Sequence, residues 1–308
     1  MSRAIHQTQS RQRRFDAVRS LSRVETRYLL FSLPIAFLIF FLVFPLLLTF
    51  AISFWRRTGF TVTPALTLQS YIEFFSGVRL FVFERSLLVA AEATVISLLI
   101  AYPIAYFLAF RAAASCVRLV LSLFAVPFLI NYIIRTFAWT YLLDRAGPVN
   151  GLLQWLGLIR HPLSWLLYSD FSVFVGLVSA YMPFMVFPLW LSLSSIDRRL
   201  IEASCMLGAR PSRTFVGVIL PLSLPGVFAA TIFGFAGCFG ESAVPTILGG
   251  VGYELMGNTI TSTMDVLDYP LAAAMSSVVV VAMLILLTAW FLAFDLRSFL
   301  GKILEWRH

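Results

Sequence analysis

Long apolar runs divide this chain. No charge interrupts residues 28–55, 171–196, 214–240 or 269–294, and about 20 apolar residues suffice for a helix to cross a bilayer. Two more stretches, about 86–110 and 117–142, are apolar apart from Glu92 in the first and Arg135 in the second. Runs such as VVVVAMLILLTAWFLAF at 278–294 do not alternate, so they read as helices rather than barrel strands. The pattern predicts an all-α integral membrane protein. Six transmembrane helices are expected at about 29–54, 86–110, 117–142, 171–193, 214–240 and 270–294. Residues 1–28 form a separate basic arm, and 29–308 form one six-span domain.

Composition agrees with a bilayer setting: 60% of the 308 residues are hydrophobic, 12% are charged and the mean hydropathy is +0.89, outside the mix of a water-soluble domain. The first span is too long for a secretory leader and lacks a small-residue cleavage site, so it is expected to be uncleaved. Cys116, Cys205 and Cys238 form no CxxC pair and the histidines are dispersed; neither a disulfide framework nor a metal site is suggested, and no cofactor is expected. Most of the 23 basic residues fall before the first span, at 111 and 118, between 198 and 213, and after 297. Positive loops stay on the cytoplasmic side, which places both termini there. The net charge of +8 then needs anionic lipid and no nucleic acid.

One polar interval, EASCMLGARPSRT at 202–214, stands between the fourth and fifth spans. Ile196, Leu200, Ala203 and Leu207 recur at helical spacing while Arg198, Arg199 and Glu202 take the other faces, predicting an amphipathic helix over 196–207 on the cytoplasmic surface. Ser194 or Ser195 is the expected cap, Gly208 the expected stop, and Pro211 the opening of the next helix. On periodicity alone this is either a connecting interfacial helix or a docking element.

The order of residues favours docking. Glu202-Ala203-Ser204 followed by Leu207-Gly208-Ala209, Leu220-Pro221 and Pro225-Gly226 resembles the EAA loop of ABC importer permeases, the MetI-like inner-membrane subunits. Ser204 departs from that pattern, which usually has a second alanine there. The resemblance extends to the spermidine/putrescine branch through YPIAYFLA at 102–109, VPFLINYIIRTFAW at 126–139, MPFMVFPLW at 182–190, GPVNGLLQWLGLI at 147–159, FGESAVPTILGG at 239–250 and MGNTI at 256–260. It implies a multi-pass protein of the bacterial inner membrane, working with a cytoplasmic ATPase dimer, a second permease that is usually a sister chain, and a periplasmic binding protein. It also implies that the loop over 194–213 couples to the ATPase, through Arg198, Glu202, Ala203, Leu207, Gly208 and Ala209. The chain has no GxxxxGK[ST] loop, and its one lysine, Lys302, follows Gly301 without a Ser or Thr after it. ATP must therefore be hydrolysed by another chain.

Pro221 and Pro225 follow inside the fifth span. Pro221 crowds the carbonyl of Gly217, and with Gly226 the pair is expected to act either as a hinge that relays movement or as a static kink. For the solute path, Pro127, Asn131 and Arg135 are four apart and expected on one face of the third span; Glu92 is within reach of a pairing with Arg135. Residues 241–269 hold Glu241, Glu254, Asp265 and Asp268 but no Lys or Arg, so Glu241 is the best single candidate for contact with a cationic solute, although outer loops also lose basic residues for topological reasons. The runner-up function is an ion-coupled secondary transporter or channel. An intramembrane hydrolase is further off, since no histidine lies within a span to activate Ser242.

Overall fold

The computed structural model describes residues 32, 34–59 and 61–293; the basic arm at 1–28 and the last residue of the sixth expected span lie outside the described residues. Helix α1 (Pro34–Ile52) leads into a hairpin of β1 (Arg56–Thr58) and β2 (Thr61–Thr63), paired antiparallel with Thr58 opposite Thr61. The chain continues through α2 (Gln69–Phe75), α3 (Val78–Phe110), α4 (Ala114–Leu129), α5 (Tyr132–Leu143), α6 (Pro148–Trp155) and α7 (Asp170–Ser194). After α8 (Arg198–Met206) come α9 (Pro211–Thr214), α10 (Leu220–Gly240), α11 (Ala243–Leu248), α12 (Met256–Asp265) and α13 (Tyr269–Ala293).

Among the described residues five helices are long and apolar enough to cross a membrane, or six if one bent pair counts as a crossing. Helix α3 starts earlier than expected. Arg79, Glu84 and Arg85 end the apolar run but not the helix, whose 33 residues span about 50 Å at 1.5 Å each, so its first turns stand clear of the ~30 Å hydrocarbon layer.

The expected third span is not one helix. It breaks at Ile130 and Asn131, and the segments on either side are bent by 94°. Asn131 caps α5, its side-chain oxygen accepting from Ile133 N–H at 2.9 Å; short polar side chains favour this role over a helix interior. Pro127, Asn131 and Arg135 therefore do not share the face of a continuous helix. Instead Arg135 reaches back across the break and donates to the Pro127 carbonyl at 3.2 Å.

Helices α3, α7 and α10 pack on one another as the centre of the molecule. Two apolar clusters fill it, one around Phe74, Leu177, Phe239 and Met275 and the other around Ala105, Met185, Leu193 and Ile219. Without a hydrophobic drive between helices in lipid, close approach matters most, and Gly226 supplies it: a Cβ there would meet Ser192 Cβ and lie 2.8 Å from the Pro188 carbonyl. Contacts mark two ends. Arg85–Asp170 at 3.0 Å and Arg57–Asp268 at 3.3 Å gather the starts of α3, α7 and α13 at the hairpin end. At the other, Arg198 reaches the Ala109 carbonyl at 3.5 Å, beside the loop over 194–213. No residue in the apolar window of α1 is buried within the chain.

Candidate functional site

At the loop end the helix begins two residues later than its periodicity suggests. Asp197 is the cap, accepting from Arg199 N–H at 2.9 Å, because Ser194 and Ser195 are spent on carbonyls of α7, Leu191 at 3.0 Å and Ser192 at 2.8 Å. The end follows a Schellman pattern. Gly208 N–H donates to Cys205 O at 2.9 Å, Ala209 N–H donates to Ser204 O at 3.2 Å, and Gly208 has φ of 78°, a left-handed conformation that favours glycine.

The four apolar residues of the periodic set are not buried alike. Only Ile196, which precedes the helix, is buried; Ile201 packs on the second apolar cluster and Ser204 is half-buried. Leu200, Ala203 and Leu207 are exposed, and Met206 and Leu207 retain 89% and 88% of their accessible surface. Glu202 and Arg199 lie exposed on the same helix. Burying a side chain such as Met or Leu is worth about 1.5–3 kcal/mol, a gain that Met206 and Leu207 do not obtain within this chain.

The helix is tied to the spans by contacts that the sequence does not announce. The Ser204 and Thr214 hydroxyls lie 3.0 Å apart, and Thr214 is buried. Ser204, the departure from the family pattern, thus has a job that alanine lacks. Phe215 stands edge-on to the rings of Tyr102 and Tyr106 on α3, at 5.9 and 6.0 Å, and Tyr102 shares a hydrogen bond of 2.9 Å with Ser223 on α10. Between Thr214 and α10 the chain makes a π-turn, Phe215–Ile219, in which Leu220 N–H donates to Phe215 O, five residues back. Pro221 cannot donate to Gly217, and the widened turn is how the helix absorbs this. Pro225 is carried inside α10. Gly226 is a point of tight contact with α7.

The residues expected on the solute path are dispersed differently. Glu241 is 9% exposed and occupied: one carboxylate oxygen accepts from Tyr181 O–H at 2.6 Å, the other from Ala243 N–H at 2.9 Å and Val244 N–H at 3.4 Å. It is therefore a buried joint between α7, α10 and α11 rather than a free carboxylate. The partner that holds Glu241 is Tyr181, a residue absent from the expectation. A polar ring inside an uncharged span was the available signal. Glu92 is exposed, and the expected pair with Arg135 does not form: among the described residues the ion pairs are Arg57–Asp268, Arg79–Glu73 and Arg85–Asp170. Glu92 lies on the exposed face of α3, while Arg135 turns back to the Pro127 carbonyl.

At the hairpin end Asp170 accepts from both Arg85, at 3.0 Å, and Tyr253 O–H, at 2.7 Å, while the Arg85 guanidinium lies 4.4 Å from the centre of the Tyr253 ring. Burial, and then the bond to Asp170, hold the Tyr253 phenol well above its ordinary range. It remains a donor at physiological pH.

Residues 90–297 match the family described as binding-protein-dependent transport system inner membrane component. The chain is 33% identical over 259 residues to the spermidine/putrescine transport system permease protein PotB of Escherichia coli K12, covering 83% of this chain and 94% of that one. The Haemophilus influenzae protein of the same name is 33% identical, with 84% and 90% covered, and the inner membrane ABC transporter permease protein YdcU of E. coli K12 is 32% identical, with 80% of each covered. In fold the chain is similar to a bacterial alginate ABC transporter solved with a pentasaccharide-bound periplasmic protein, at a TM-score of 0.68 and 14% identity over 87% of this chain and 94% of that one. The chain belongs to the binding-protein-dependent transport system inner membrane component family, the permease subunits of ABC importers.

Proposed function

We propose that this permease carries a small cationic solute, a polyamine or related amine, across the inner membrane, and that α8 is the element through which a cytoplasmic ATPase drives it. The observation that carries this reading is the exposed apolar pair Met206 and Leu207 beside Glu202, on a short helix joined by Ser204 and Thr214 to the base of α10. Arg198, Ala203, Gly208 and Ala209 complete the docking surface, with Gly208 setting the sharp turn. Force entering α8 passes through Thr214 and Phe215 to α3 and α10, and the π-turn before Pro221 is where the base of the fifth span yields. Packed helices move as bodies. The polyamine branch is supported by relatives that bear its name over most of the chain. A second permease, a sister chain in this reading, covers the bare apolar surface of α1, and both termini lie in the cytoplasm.

An exposed thiol on α8, Cys205, supplies the test. With Cys116 replaced by serine, a membrane-impermeant maleimide is expected to label Cys205 in inverted vesicles but not in spheroplasts, and added ATPase subunits are expected to shield it. Labelling in spheroplasts, or labelling that the ATPase leaves unchanged, overturns the assignment of α8.

A further inference from the structure

At the hairpin end a cleft of about 900 Å³ opens between α5, Tyr168, the segment that follows α11, and α12. Its size is in the range of small-molecule sites, about 300–1,000 Å³. We propose that it receives an extended aliphatic amine bearing more than one positive charge. This rests on the cationic-solute reading above and assigns that solute a place on this chain.

The chemistry of the walls selects the class. Glu254 and Asp265 both line the cleft, both are exposed, and neither takes part in an ion pair among the described residues. No Lys or Arg lines it. The nearby guanidinium of Arg85 is already compensated by Asp170 and stacked on Tyr253, so the two lining carboxylates define the field inside. Phe137 and Tyr168, both exposed, line the same cleft. Their faces suit methylene chains and attract ammonium groups. Tyr168 has a left-handed backbone at φ of 58° and lies beside Gly250, where a Cβ would come 3.0 Å from its side chain. An acidic solute is repelled here, and a neutral sugar gains nothing from two carboxylates. A flexible diamine or triamine satisfies both charges and both kinds of wall.

The test uses the whole importer in proteoliposomes, with Cys116 and Cys205 replaced by serine and Thr261, a lining residue, replaced by cysteine. A trimethylammonium methanethiosulfonate is expected to modify T261C about tenfold faster than a neutral homologue. Millimolar spermidine should slow that reaction, while a diol of similar length should not. In the added double variant E254Q/D265N the preference for the cationic reagent and the shielding by spermidine should both fall to within about twofold of none. The proposal is overturned if a complex that transports spermidine shows no shielding of T261C, or if the double variant keeps the preference. A complex that moves no polyamine while spermidine still shields T261C overturns the transport reading and leaves the cleft's chemistry standing.

Discussion

Gly226 separates two mechanical readings of the fifth span, because replacing it with alanine changes stability in opposite directions under each. If Gly226 serves as a point of freedom, the methyl group stabilises the helix by about 0.5–1 kcal/mol, the ordinary gain of alanine over glycine in a helix interior. The structure argues for the reverse. The added Cβ meets Ser192 Cβ and comes 2.8 Å from the Pro188 carbonyl and 3.0 Å from Ser192 Oγ, and neither neighbour is the free end of a flexible chain. Helices α7 and α10 must separate, at the cost of about 1–3 kcal/mol typical of overpacking. At about 2–4 °C per kcal/mol, the melting temperature of the purified permease should fall by several degrees. Gly217, in the π-turn, is the internal control, since a Cβ there finds nothing within 4 Å; Gly217→Ala should not lower the midpoint. Ser192→Gly combined with Gly226→Ala should recover part of the loss. A Gly226→Ala protein as stable as its parent, or more so, refutes the close-contact reading and returns Gly226 to the hinge.

Two further outcomes follow from the hydrogen bonds. Ser204→Ala removes the bridge to Thr214 without touching the exposed face of α8, so ATPase binding should persist while the ATP hydrolysed per solute transported rises; an unchanged ratio rules out a role for the bridge in coupling. Glu241→Gln leaves one acceptor oxygen where Tyr181, Ala243 and Val244 now have a carboxylate, and hydrogen bonds to charged groups are worth about 1.5–3 kcal/mol. The protein should melt earlier, with Tyr181→Phe doing so to a smaller degree, and the concentration dependence of uptake should stay as it was. A shifted concentration dependence with unaltered melting instead makes Glu241 a solute contact.

What could be read from the chain without coordinates was whatever repeats at short range. Uncharged runs disclosed the spans because a bilayer penalises every residue by the same rule, and the motif around Glu202 and Gly208 disclosed the loop because a helix, its stop and the next start are adjacent in sequence. Errors arose where a pattern was extended across a boundary. Pro127, Asn131 and Arg135 have helical spacing, but the backbone turns at Asn131, and the four-residue rule holds only on one continuous helix. Leu200, Ala203 and Leu207 also have helical spacing. Periodicity shows that they share a face, yet it cannot say whether their own chain or a partner covers it.

The polar groups within and beside the spans were the least legible, and the reason is physical. Low dielectric obliges each to find a partner, but the partner need not be close in sequence: Tyr181 and Glu241 are 60 residues apart, and Arg85 and Asp170 are 85 apart. The same rule applies to Glu92, which lies on the outward face of α3 among the exposed Leu88, Val95 and Leu99. A carboxylate exposed to hydrocarbon costs several kcal/mol, and among the described residues no cation forms an ion pair with Glu92. A neighbouring permease laid against α3 would offset that cost, whereas the bare apolar surface of α1 suits lipid as well as a partner.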